Sequence, residues 1–363
     1  MVPASGACSV APQKKWIDGL TTDLPFWEAL QNILQPRWEG VLQAAHQVLR
    51  RSSDDTEHVH RLRVASRRLA AVLQTLGREL PGKSCRRVLK VLDRIRRCCG
   101  DARDFDVQIS FIDQILPHLS AGEVAGVGVI REQLLRGRSK AQGKLRHRLA
   151  RLVEKLERSG DKLFAAAYRA HERSPSEETF GGKCVELLEK EFSEFWEQSA
   201  KGIPQETRLH DLRIACKNLR YTVEVAAPVL GEAFREEFYP QLQKIQTQLG
   251  VWNDSVVAEK SQSHLRKKCK GRCDRHGLCE LPRTEPISWR ELNAGFATLR
   301  NAFRQSGQRA LDEFNQTWPE FSGSNFRHPV EDLLTSARER DSHRHPGVNA
   351  RIAESSEREP VGV

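Results

Sequence analysis

A chain of 363 residues has ample length for a sizeable core and leaves room for one to three domains. Lys and Arg total 58 against 48 Asp and Glu, a formal charge of +10 with a pI near 9.3, which favours acidic partners: nucleic acid, phosphate polymers or an anionic surface. The opening MVPASGACSVAPQKKW has no basic stretch followed by an apolar one, and no later run reaches the length of a membrane span, so the expectation is a soluble, cytoplasmic protein. Nine cysteines, an odd set with several at apolar helical positions, argue against a disulfide framework and for buried thiols.

Residues 1–21 lack periodicity and read as a disordered leader. From Leu24 to Arg50 apolar residues recur at mostly helical spacing, with Pro36 as a candidate kink. Ser52 to Asp55 supply turn and capping chemistry before a second helix that runs to about Gly77. A third helix is expected over Ser84 to Cys99 and a fourth over Phe105 to Leu116, stopped by Pro117. The Leu-, Lys- and Arg-rich stretch from Glu123 to Arg173 reads as a long helix, broken or kinked near Gly160. After the linker Ser174 to Ser176, an amphipathic helix carrying Cys184, Leu188, Phe192 and Trp196 begins a second set, followed by the turn at Ile203 and Pro204 and a helix carrying His210. Further helices are expected over Glu232 to Leu249, about Asp254 to Lys268, and Trp289 to Trp318. A Cys-rich insertion occupies about 269–286, and the polar tail 321–363 reads as disordered. No segment alternates in twos between turn signals, so the expected fold class is all-α.

The stretch Leu209 to Tyr221, LHDLRIACKNLRY, is the most informative. On a helix His210, Arg213, Lys217 and Arg220 share one face, while Leu212, Cys216, Leu219 and Val223 take the opposite one. Cations three and four residues apart repel by about 0.2–0.5 kcal/mol per pair, so such a stripe is easiest to understand beside a polyanion. The stretch has a twin 150 positions earlier: His60, Leu62, Arg63, Ala65, Arg67 and Leu69 match His210, Leu212, Arg213, Ala215, Lys217 and Leu219. Gly100 and Asp104 match Gly250 and Asp254 in the same register. An ungapped match of this length reads as an internal duplication, and predicts two pseudo-two-fold-related bundles of about four helices each, one over about 22–173 and the other over about 177–320.

These residues resemble the CHAD domain family, in which a His-x-x-Arg helix occurs once in each half of a duplicated helical bundle, and each half continues to a Gly followed by Arg-Asp or Asn-Asp. Here the endings are Gly100 with Arg103 and Asp104, and Gly250 with Asn253 and Asp254, and the resemblance covers about residues 22–320. It implies a binding module for inorganic polyphosphate, with basic residues of both halves lining a central cavity, and association with polyphosphate granules. Carried onto this chain, the polyphosphate-binding set is His60, Arg63, Arg67, Arg68, Lys90, Arg94, Arg97 and Arg103 from the first half, with His210, Arg213, Lys217, Arg220, Tyr221 and Lys244 from the second. The Glu-x-Glu-x-Lys pattern of family members with a triphosphatase domain is absent, which implies a stand-alone, non-catalytic binder without cofactor or metal. The chain departs from the family where basic residues are common on the third helix, at Asp93 and Gln243, and the halves are unequal, since Ala70 and Ala71 stand where the second has Arg220 and Tyr221.

Other readings stand beside this one. A helical charge run is commonly a solvated face. Catalysis would need a nucleophile, metal cluster or phosphate loop recurring with the histidines, and the sequence offers none. Asp104 and Asp254 each open a predicted helix, where a carboxylate caps free N–H groups. Cys269, Cys273, His276 and Cys279 with His264 are numerous enough for zinc, but their spacing is not that of a standard finger. The rival functions are single-stranded nucleic-acid binding, which calls for stacking aromatics where this face offers only Tyr221, and a scaffold whose basic face meets an acidic protein.

Overall fold

The computed structural model describes residues 15–50, 56–77, 80–173, 178–200, 206–276 and 287–344. The fold is all-α. In chain order the helices are α1 (Phe26–Arg50), α2 (Thr56–Thr75), α3 (Gly82–Cys98), α4 (Gly100–Ile115), α5 (Ala121–Arg173), α6 (Phe180–Ala200), α7 (Glu206–Ala233), α8 (Tyr239–His276), α9 (Trp289–Ser322) and α10 (Ser324–Arg344). A backbone bridge, Pro25 with Thr179, ties the start of α1 to the start of α6 through Phe26 N–H donating to the Glu178 carbonyl and Phe180 N–H donating to that of Leu24.

Each helix buries the stripe its periodicity marks out. On α1 this is Phe26, Leu30, Ile33, Leu34, Val41 and Val48; on α6 it is Cys184, Leu188, Phe192, Phe195 and Trp196. The main core runs without interruption from α1 through α7 to α10, so both helical sets pack on shared apolar contents. A smaller core, centred on Ile112, Ile130, Leu299 and Phe303, joins α4, α5, α8 and α9.

The two long closing helices begin alike. Ser288 Oγ accepts from Glu291 N–H while Ser288 N–H donates to Glu291 Oε2, a reciprocal capping box at the start of α9. Before α5, the N–H and hydroxyl of Ser120 both donate to Glu123 Oε2. Glu123 also accepts from Thr298 of α9. The two helices cross at Gly126 and Gly295, where a Cβ on either residue would lie within 2.4–2.6 Å of the other backbone.

Several elements differ from the sequence expectations. α1 continues past Pro36 without a break. α5 passes Gly160 unbroken, because the indole of Trp38 sits so close that a Cβ there would approach within 2.0 Å; the glycine makes room for a neighbour. The helices expected on either side of Gly250 are one helix, α8. α4 begins at Gly100, so Asp104 lies a turn inside it and Asp254 lies mid-helix; neither is a capping residue. The chain beyond Phe321 continues into α10, whose Phe326, Val330, Leu334 and Ala337 are buried in the main core. α8 extends into the Cys-rich region, burying Cys269 and Cys273 in the smaller core. Cys273 is disulfide-bonded, against the expectation of free thiols. Cys279 and the side chain of His276 lie outside the described residues, as do the leader up to residue 14 and the tail from 345.

Candidate polyanion site

α2 and α7 pack against each other near the middle of the molecule. On α2 the residues Leu62, Ala65 and Leu69 turn into the core, which leaves His60, Arg63 and Arg67 on the flank toward α7. On α7 Leu212, Cys216, Leu219 and Val223 are buried, which sets Arg213 and Lys217 on the facing flank. The two stripes meet. Lys217 lies within electrostatic reach of Arg67, Arg213, Arg96 and Arg63, cations drawn from α2, α3 and α7.

The electrostatics of this meeting are unfavourable for the empty protein. Burial, and then the four surrounding guanidinium groups, push the Lys217 ammonium down to about 7, from 10.5 for a free lysine. Burial followed by the charge of Arg67 lowers Arg63. Burial likewise lowers Arg213, opposed by Asp254 and reinforced by Arg67. The buried Nε of Arg213 has no hydrogen-bond partner among the described residues. Arg63 donates to the main-chain carbonyl of Arg96 at 3.1 Å, a neutral acceptor, and Asp104 acts on its charge without forming an ion pair with it. Among the described residues, none of Arg63, Arg67, Arg213 or Lys217 forms an ion pair with a carboxylate.

Among the described residues, Asp93 pairs with Arg96 at 3.4 Å, and two further acids stand at the rim. Asp104 and Asp254, 150 positions apart in the sequence, are solvent-exposed and close enough to repel each other. Desolvation raises the Asp104 carboxyl, Arg63 draws it back down, and the charge of Asp254 adds to the rise. Asp254 acts on Arg213 as Asp104 acts on Arg63. His60 sits at the same end, its imidazole held below the usual histidine range by burial and then by Arg103.

A second polar cluster adjoins the first. The carboxylate of Glu224, 2 % exposed, accepts from Arg68 Nε at 2.9 Å and from Arg220 Nη1 at 2.7 Å. Tyr239 donates its hydroxyl to the same carboxylate at 2.7 Å. Arg68 belongs to α2 and Arg220 to α7, so one buried anion ties the two helices together. Arg37, 1 % exposed on α1, feels the same cluster, and burial lowers it to about 10. Lys15 stacks over the rings of Trp16 and Tyr239 at its edge.

The residues singled out from the sequence therefore fall into three groups. Arg63, Arg67, Arg213 and Lys217 converge, with His60 and Arg103 at one rim. Arg68 and Arg220 are engaged by Glu224, and Tyr221 is buried with the Arg220 guanidinium over its ring, off the open cationic face. Lys90, Arg94, Lys244 and His210 are exposed, and Arg97 pairs with Asp93 at 2.7 Å. Sequence reasoning missed Arg96 and Glu224. Arg96 is marked by its phase, next to Leu92 and Ile95 of the α3 core stripe; Glu224 is an acid within the apolar run that ends α7.

The fold and this site define a class: an all-helical protein that gathers unpaired cations from two sequence-related helices into one seam. The CHAD domain family model matches residues 33–261, and the chain belongs to that family. The crystal structure of the CHAD domain from the plant Ricinus communis is similar, with a TM-score of 0.64 at 19% identity over 85% of this chain and 96% of that one. PptA from Streptomyces chartreusis is similar too, with a TM-score of 0.58 at 16% identity over 81% of this chain and 99% of that one. No curated protein matches the chain. No helix among the described residues is long and apolar enough to cross a membrane.

Proposed function

We propose that the protein binds inorganic polyphosphate without catalysis, in the seam where α2 and α7 meet, and that both halves of an internal duplication contribute to this one site. The observation that carries the reading is Lys217 held among Arg63, Arg67, Arg96 and Arg213, of which, among the described residues, only Arg96 has a carboxylate partner, Asp93 at 3.4 Å. Two unit charges 4 Å apart cost about 4 kcal/mol at a protein-surface dielectric, so a cluster of this kind is maintained against repulsion that a bound polyanion relieves. Membership of the CHAD family supports phosphate polymer as that polyanion.

A polymer suits the site better than a small anion because the cations lie along helices, and many weak contacts add along a chain. Single-stranded nucleic acid is the rival, and it gains about 1–3 kcal/mol per base from aromatic stacking. The seam presents no free aromatic face, since Tyr221 is buried. The bound protein would act as a carrier or a tether, with polyphosphate granules as its place of action.

A competition experiment decides among the partners. Long-chain polyphosphate is expected to displace labelled polyphosphate at concentrations where orthophosphate, ATP, oligouridylate and a poly-glutamate peptide do not. Displacement by the oligonucleotide at equal phosphate concentration contradicts the reading. Release of orthophosphate from polyphosphate by the purified protein contradicts its non-catalytic part.

A further inference from the structure

The outer face of α5 carries a feature that the seam does not use. Between Arg136 and Arg151 the sequence holds seven Lys and Arg and no acid. Arg138 is taken inward, where its Nε donates to the buried carboxylate of Asp106 at 2.6 Å. The rest form a pattern of faces. Leu134, Ala141, Leu145, Leu149, Leu152 and Leu156 are buried on one side of α5. Lys140, Lys144, Arg151, Lys155, Arg158 and Lys162 follow one another at three-, four- and seven-residue steps along the opposite side, with His147 filling the longer step, and all are exposed. At 1.5 Å per residue this ridge is about 33 Å long.

From Lys140 to Arg151 no acid interrupts it, while Glu154, Glu157 and Asp161 are interleaved with its cations beyond. The one ion pair along it among the described residues is Arg158 with Glu154 at 4.0 Å, both largely exposed and so worth little. Each like-charge neighbour at three or four residues costs about 0.2–0.5 kcal/mol, and the ridge accumulates several such pairs on an already helical element. α3 packs beside α5 and presents Lys90 and Arg94 outward on its own exposed face. The next cations along α3 are Arg96, which belongs to the seam, and Arg97. Both pair with Asp93, which leaves Lys90 and Arg94 as the free cations of these four among the described residues, on a helix that packs against both α2 of the seam and α5.

The chemistry of the surface narrows its partner. None of the large exposed apolar residues of the molecule lies between 136 and 162. A membrane-surface helix needs an apolar flank to bury beneath the headgroups, and the buried flank of α5 is already in the protein core. A single-strand reader needs aromatic rings, and the ridge has none. What fits is a long, flexible, baseless anion that meets charge alone.

We infer that the outer ridge of α5, reached from the seam across α3, is a second contact surface for the same phosphate polymer, engaged only by chains long enough to leave the seam. This inference rests on the proposed function of the seam. It makes the protein a length-sensing binder: short chains occupy the seam, and longer ones add contacts outside it.

The test compares wild type with a ridge variant (Lys140→Gln, Lys144→Gln, Arg151→Gln, Lys155→Gln) and a seam variant (Arg67→Gln, Lys217→Gln), using defined short and long polyphosphate. The ridge positions are exposed and make no ion pair among the described residues, so folding is expected to persist, with circular dichroism and thermal melts as the check. Wild type should bind long chains more tightly than short ones, counted per chain, with a steeper dependence of log affinity on log salt. The ridge variant should keep short-chain affinity and lose the long-chain advantage by about tenfold or more, with the salt slope reduced by roughly 0.7 for each lost contact. The seam variant should lose both. Long-chain binding by the ridge variant equal to wild type overturns the ridge while leaving the seam intact; a wild type that binds neither length overturns both. A ridge variant that instead loses binding to oligouridylate or to phosphatidylserine vesicles, with long polyphosphate unchanged, assigns the surface to another partner and overturns the inference.

Discussion

Lys217 is the residue in which affinity and stability are opposed most directly. Its folded-state pKa of about 7 lies below the 10.5 of a free lysine, so between those values the unfolded chain binds more protons than the folded one. Stability therefore rises with pH through this window, and the cost of the buried ammonium is fully present below about 7. A bound polyanion reverses the preference by stabilising the charged form. Binding should take up protons near neutrality, and affinity should fall as pH rises above about 7. Lys217→Met is expected to raise the melting temperature of the free protein at mildly acidic pH, to weaken polyphosphate binding there, and to flatten its pH dependence. Proton uptake measured calorimetrically in buffers of different ionisation enthalpy checks this; equal uptake in wild type and variant would sink it. Glu224 plays the converse part. Removing it strands Arg68 and Arg220 beside Arg37, and breaking such a buried pair costs about 3–5 kcal/mol. Glu224→Ala should lower stability by an amount of that order in denaturant melts. A loss below about 1 kcal/mol would mean that the two arginines reach water and that Glu224 does not tie α2 to α7.

At the scale of helices, the glycines separate two roles that look alike in sequence. Gly160 in α5 and Gly126 at the crossing with α9 are sites of close approach, to the Trp38 indole and to the backbone around Glu291 and Gly295. Gly250 lies within α8, and a Cβ there would meet nothing within 4 Å. Gly160→Ala and Gly126→Ala should each destabilise by about 1–3 kcal/mol through overpacking. Gly250→Ala should stabilise by up to about 1 kcal/mol, as alanine replaces glycine in an open helix interior. Chemical denaturation of the three variants distinguishes the signs, and a destabilising Gly250→Ala would reveal a constraint on α8 that its geometry does not contain. Gly250 and Gly160 were legible as glycines in helical patterns but not as to purpose, because a break and a close contact leave the same mark in sequence. α10 escaped for a related reason: Phe326, Val330, Leu334 and Ala337 do keep helical spacing, but their polar surroundings resemble those of a disordered tail.

Across the whole molecule, what the sequence carried best was the facing of Arg63 and Arg67 with Arg213 and Lys217, since a face shared at fixed helical phase is a local property; His210 is exposed. Which other cations join them is decided by packing. Arg94, Arg96 and Arg97 are neighbours in one basic run, yet only Arg96 reaches Lys217, because α3 turns Val88, Leu92 and Ile95 into the core and leaves Arg96 at the edge of that stripe. Arg68 and Arg220 are both engaged by Glu224; the four-residue spacing from Arg220 is an ordinary helical one, whereas the 156-residue separation from Arg68 is one that no periodicity displays. The most direct test of the account is the salt dependence of polyphosphate affinity in two double variants, Arg63→Ala with Arg67→Ala from α2, and Arg213→Ala with Lys217→Ala from α7. If one seam holds the polymer, each pair weakens the same single binding event and lowers the slope of log affinity against log salt by roughly one unit or more, with both proteins still folded. A folded double variant from either helix that binds polyphosphate with wild-type affinity and slope would contradict the shared site and leave that helix with a solvated basic face.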